Sequence, residues 1–129
     1  MQVIKFKTNQ REEFVEVTSQ LRDAVRDLRI QDGAALVYVP HTTAGLLINE
    51  NADPTVGKDI VNFLQATVPR SSSYLHGEGN SDAHIKAALL GSSEVLPIVD
   101  GEVKLGTWQG LFFAEFDGPR ERKIWVCKC

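Results

Sequence analysis

Val95-Leu96-Pro97-Ile98-Val99-Asp100-Gly101-Glu102-Val103-Lys104-Leu105 reads as two strands joined by a two-residue turn. Asp-Gly between apolar runs accepts positive φ at both turn positions, which is what a tight β-hairpin requires. Strand-like segments continue toward the C-terminus: Thr107-Trp108-Gln109, then Leu111 to Phe116, then Lys123 to Cys127. Asp117-Gly118-Pro119-Arg120 turns the chain between the last two. The final third of the sequence is therefore strand after strand, in the manner of an antiparallel sheet.

Working back toward the N-terminus, strands alternate with helices. Val3, Ile4 and Phe6 interleave with Lys5 and Lys7; Phe14, Val15 and Val17 interleave with Glu13 and Glu16. The polar run Thr8-Asn9-Gln10-Arg11 joins these two strands. Thr18 is placed as the N-cap of a helix whose Leu21, Ala24, Val25 and Leu28 recur at helical spacing. Ala34 to Val39 is a short apolar run suited to a buried strand, and Leu46-Leu47-Ile48 suits another. Asp53-Pro54 starts a second helix, with Val56, Ile60, Phe63, Leu64 and Val68 as its apolar face. After the long loop from 69 to 80, Asn80 or Ser81 caps a third helix; Ile85, Ala88 and Leu89 are its expected inward face and Gly91 its end. The resulting order, β-β-α-β-β-α-α-β-β-β-β, predicts an α+β fold: a sandwich-like, mostly antiparallel sheet system with about three helices.

A length of 129 residues suits one domain over 1–129. With 43% apolar and 24% charged residues, the composition is that of an ordinary globular chain. A net charge of −3 speaks against a general nucleic-acid binder. No apolar stretch is long enough to span a bilayer, and the alternating N-terminus lacks a signal-peptide core. A cytoplasmic location without membrane attachment is the expectation. Cys127 and Cys129 are expected to be reduced, since neighbours so close on one strand seldom meet disulfide geometry.

The chemistry-bearing residues cluster. The three histidines, His41, His76 and His84, all lie among polar or acidic neighbours. Three imidazoles with carboxylates nearby can form a three-ligand site for a divalent metal, zinc or magnesium, with an open position. Glu115 interrupts an apolar strand and needs a partner, which Arg120 or Arg122 can supply. Thr42, Thr43, Ser81, Lys86, Arg120 and Arg122 are donors suited to an anion. Arg120, held just after a Gly-Pro turn, suits bidentate phosphate binding. No Walker-type loop or dinucleotide fingerprint occurs.

Five stretches in order carry a resemblance. They are His41-Thr42-Thr43-Ala44; Asn49-Glu50-Asn51 with Asp53-Pro54; Asn80 to Lys86; Leu105 to Gly110; and Glu115 to Arg120. The chain resembles the YjbQ-like family, associated with secondary thiamine-phosphate synthase activity. The resemblance implies a β-sandwich with helices on it and a homotrimer packed around a threefold axis. It also implies an activity joining hydroxymethylpyrimidine diphosphate to thiazole phosphate with release of pyrophosphate. The family's motif residues fall on His41, His76, His84, Asn49, Glu50, Asp53 and Arg120. One departure is the serine-rich loop, with Gly77-Glu78-Gly79 following His76.

Three functions follow as expectations. The first is an enzyme on phosphorylated small molecules, with His41 or Glu50 handling a proton or a metal and Arg120 holding the phosphate. The second is a metal-dependent hydrolase built on the three histidines. The third is a non-catalytic trimeric module that binds an anion or a partner.

Overall fold

The computed structural model describes residues 1–129. In chain order its elements are β1 (Gln2–Lys7), β2 (Glu13–Glu16), α1 (Thr18–Asp27), β3 (Gly33–Tyr38), β4 (Ala44–Glu50), α2 (Pro54–Thr67), α3 (Ser81–Leu90), β5 (Ser93–Val99), β6 (Glu102–Val103), β7 (Gln109–Glu115) and β8 (Glu121–Lys128). The strands form two antiparallel sheets, one ordered β1-β8-β3-β5-β6 and the other β2-β7-β4.

Alternation explains the sandwich. Ile4, Ala35, Val37, Leu96, Ile98, Ile124 and Val126 line the inner face of the five-stranded sheet. Leu46, Leu111 and Phe113 come from the three-stranded sheet, and α1 adds Leu21, Ala24 and Val25 to the same core. Phe6 meets Phe113 edge-on at 4.9 Å between ring centres, tying β1 to β7 across that core. Asp100 and Gly101 both take positive φ, 52° and 78°, so the hairpin forms as its turn residues require. The strand after this turn is shorter than the sequence suggested: β6 stops at Val103, and Thr107-Trp108 is a turn before β7 begins.

The helices differ from the sequence reading in more telling ways. Asp53 caps α2 as expected, accepting from the Thr55 N–H at 2.9 Å. Thr18, by contrast, is the first helical residue and not the cap. Its hydroxyl accepts from Leu111 N–H at 3.0 Å and so pins α1 to β7. Of the apolar face expected on α2, Leu64 is buried while Phe63 stays in solvent.

Helix α3 turns the opposite way from its predicted orientation. Ser81, Asp82, Ala83, Lys86 and Ala87 are the buried residues, and Ile85 and Leu89 face out. The helix lies close against β4. A Cβ on Gly45 would sit 2.7 Å from the Gly91 carbonyl, so only glycine permits that approach.

Candidate active site

The polar face of α3 is built around two acidic and two basic side chains. Arg11, from the β1–β2 connection, donates to both oxygens of Asp82 at 3.1 and 3.0 Å. Lys86 Nζ donates to Asp82 at 2.9 Å and also to Glu12. Asp82 and Lys86 are fully out of solvent and Glu12 nearly so. Burial pushes the Asp82 carboxyl up, but the hydrogen bonds from Arg11 and Lys86 outweigh it and hold the group below the usual carboxylate range. The same bond to Asp82 raises the Arg11 guanidinium against its own desolvation. Lys86 is therefore paired with two buried carboxylates inside the protein, and the structure does not offer it as the free anion-binding lysine expected from sequence.

Two of the three histidines, His76 and His84, meet at the N-terminal end of this helix. His76 Nδ1 lies 2.9 Å from Ser81 Oγ, and Ser81 Oγ lies 3.3 Å from the His76 carbonyl. The His76 and His84 rings stand edge to face, 5.4 Å between centres. Glu78 approaches His76 Nε2 at 3.7 Å. Asn80 occupies the cap position but makes no side-chain cap bond. Its amide instead donates to Asp117 at 2.9 Å. Arg120 meets the same aspartate, donating Nε to the Asp117 carbonyl at 2.8 Å and Nη2 at 3.1 Å to the carboxylate oxygen that Asn80 also bonds. A Cβ on Gly118 would collide with the Gln10 carbonyl, so the turn carrying Asp117 and Arg120 is pressed onto the loop carrying Arg11. His76, Ser81, His84, Asn80, Asp117 and Arg120 thus share one end of α3, with the Arg11–Asp82–Lys86–Glu12 network behind them.

The partner of Glu115 is Arg122 and not Arg120. Arg122 Nε donates to Glu115 at 2.8 Å, and its Nη2 bonds the other carboxylate oxygen and the Thr43 hydroxyl, the latter at 2.9 Å. Thr8 Oγ1 donates to Glu115 at 2.7 Å. Burial raises the Glu115 carboxyl; the bonds from Arg122, Thr8 and the Asp117 N–H together bring it below the ordinary value. Thr43 is accordingly part of a buried frame, whereas Thr42 is exposed.

His41 stands in a different place. Its Nε2 accepts from the Lys123 N–H at 3.0 Å, and its ring lies edge-on to Phe113, 6.4 Å between centres. Burial, helped by Arg122, lowers the pKa of this imidazole. The three-histidine metal site is therefore not assembled within one chain: His76 and His84 meet, and His41 does not join them. No group of three or more His, Cys, Asp or Glu side chains has the spacing to hold a metal ion. Two imidazoles with one committed ring nitrogen do not fit the expected zinc or magnesium set.

Asn49, Glu50 and Asp53 lie elsewhere again. The Asn49 side chain accepts from the Glu50 N–H at 2.7 Å. Glu50 and Asp53 line a groove of about 520 Å³ with Glu12, Glu13 and Glu16. The Thr55 hydroxyl and N–H lower the Asp53 carboxyl. Cys127 and Cys129 are free thiols. No helix is long and apolar enough to cross a membrane.

Sequence reasoning missed Arg11 and Glu12 as site residues: Arg11 closes the polar turn Thr8-Asn9-Gln10-Arg11, and Glu12 falls between that turn and the next strand. The available signal was a lysine and an aspartate four apart on α3, a spacing that places them on one face.

The comparisons with known proteins agree on one family. The model of the "UPF0047 protein YjbQ-like" family matches residues 2–128. A UPF0047 protein of Methanocaldococcus jannaschii is 55% identical over 122 residues, covering 95% of this chain and 88% of that one. The UPF0047 protein YugU of Bacillus subtilis is 41% identical, covering 98% and 96%. A crystal structure of an uncharacterized YjbQ/UPF0047 family protein from Clostridium acetobutylicum superposes with a TM-score of 0.97 at 48% identity, covering all of both chains. A structure from Sulfolobus solfataricus, described as of unknown function, gives a TM-score of 0.92 at 34% identity, covering 97% and 92%. By sequence and by fold alike, the chain belongs to the YjbQ-like UPF0047 family.

Proposed function

We propose that this protein is a small enzyme acting on phosphorylated small molecules at the N-terminal end of α3. The specific activity we assign to it joins hydroxymethylpyrimidine diphosphate to thiazole phosphate and releases pyrophosphate. The observation that carries the reading is His76 Nδ1 at 2.9 Å from Ser81 Oγ, beside His84, on a helix start whose cap side chain is turned away. The first N–H groups of a helix favour an anion, and a hydroxyl with two imidazoles adds donors around it. Arg120, fixed by Asp117, brings a planar cation to the same end.

The chemistry suits this equipment. The thiazole nitrogen attacks the methylene carbon of the pyrimidine, and the carbon–oxygen bond to diphosphate breaks. The protein must hold two anions side by side and stabilise charge on the leaving oxygen. Arg120, the Ser81 hydroxyl and the free N–H groups of α3 do the second. His76, held against Ser81, sets the direction of that hydroxyl.

We further propose assembly as a homotrimer. Tyr38, Val95 and Val99 are exposed apolar side chains on β3 and β5, on the other side of β8 from β1 in the five-stranded sheet, a region that invites cover. Light scattering checks it: a trimer mass is expected, and a monomer mass at micromolar concentration contradicts it.

Pyrophosphate release separates the functional readings. Release is expected only when both substrates are present. Release from the pyrimidine diphosphate alone would indicate a hydrolase. No release under any combination would leave a binding module.

A further inference from the structure

Lys5 and Lys123 face each other across the β1–β8 ladder, and Lys7 follows two residues on, opposite Glu121. Like charges directly opposite on neighbouring strands destabilise a sheet. All three lysines are exposed and none is in a salt bridge. Together with His41, Arg122 and Glu121 they line a cavity of about 580 Å³. Arg122 is already matched by Glu115, and Lys123 lies 5.9 Å from the centre of the Trp125 ring; Glu121 is the one carboxylate that faces the three ammonium groups in the lining.

His41 completes the set. Because its Nε2 accepts the Lys123 N–H, the neutral ring carries its proton on Nδ1. Burial and the neighbouring cations favour that neutral form. Nδ1–H has no protein partner among the hydrogen bonds of the chain and is free to donate.

We propose that the cavity between β1, β8 and His41 is a second anion-binding site, taking a phosphoryl or diphosphoryl group on Lys5, Lys7, Lys123 and the His41 Nδ1–H. Ammonium groups two residues apart on one strand, and opposite on the next, spread positive charge over several ångströms. A polyphosphate distributes its negative charge on that scale, whereas a single carboxylate does not. The site is independent of the α3 cluster, sharing no residue with it.

The test is a titration of the full-length protein with inorganic diphosphate at low salt, followed by nuclear magnetic resonance of the His41 ring nitrogens and the Lys123 amide. Saturable shifts at both are expected. In the double variant Lys5→Gln/Lys123→Gln the apparent affinity read at His41 falls by about tenfold or more, since two charge-assisted contacts to the anion are lost. In Arg120→Gln the shifts persist with unaltered affinity. The double variant also melts no lower than the wild type, because a like-charge pair has been removed. No saturable shift in the wild type, or undiminished affinity in the lysine variant, would overturn the proposal. So would loss of the shifts in Arg120→Gln, which would place the bound anion at α3.

Discussion

Lys86 follows Asp82 by one turn of α3, and its ammonium lies 2.9 Å from the carboxylate with both side chains withdrawn from solvent. Such a pair stabilises only while it is complete, because removing one member strands the other charge. Lys86→Ala leaves Asp82 with Arg11 alone and Glu12 with only the 3.3 Å contact from Arg11. The expected loss is about 3–5 kcal/mol in urea unfolding. The double variant Lys86→Ala/Asp82→Ala loses less than the two single effects summed. Losses that simply add would show that the two charges do not depend on each other.

Acid should destabilise the protein through the same frames. Asp82 and Glu115 are both held below the ordinary carboxylate range in the folded state. Their contribution is therefore present above the unfolded value of about 4 and is lost as pH falls through the lowered folded values. Urea melts between neutral and acid pH should show this loss in the wild type. Glu115→Gln should be less stable at neutral pH and flatter across the acid range. An equally steep acid limb in that variant would remove Glu115 from the account.

His41 has the opposite chemistry and the same direction of effect. Its folded pKa is lowered, so protonation favours the unfolded chain. Stability falls as pH drops from about 6.5 toward the folded value, and His41→Gln removes that part of the pH dependence. A ring titration by nuclear magnetic resonance checks it directly. A His41 midpoint at or above the free-histidine value would contradict the buried, cation-flanked setting.

The strands were legible because their signals are local. Alternation in β1 and β8, Asp100-Gly101 at the hairpin and Asp53-Pro54 at the start of α2 all act over a few residues. The orientation of α3 was not legible, because apolar periodicity assigns Ile85 and Leu89 to the core, while the actual inner face is ionic. That face is paid for by Arg11 and Glu12, which lie far away in the sequence. His41 illustrates the same limit. Its neighbours in sequence suggested a shared metal site, but the β3–β4 connection carries it to Lys123 on β8 and Phe113 on β7, while His76 and His84 meet each other. The choice of Arg122 over Arg120 as partner of Glu115 likewise follows from sheet geometry, since Arg122 lies inside β8 and Arg120 in the turn before it.

The central claim is that the end of α3 binds and turns over a phosphorylated substrate, and one paired measurement tests it most directly. Turnover of the pyrimidine diphosphate with thiazole phosphate and melting temperature are recorded on the same preparations of wild type, Ser81→Ala and Arg120→Lys. Ser81→Ala removes the hydroxyl held by His76; Arg120→Lys keeps the charge and loses the planar fork. The account predicts turnover per folded molecule reduced by about tenfold to a hundredfold in each, with the melting temperature close to wild type. Unchanged turnover per folded molecule in both variants would contradict it.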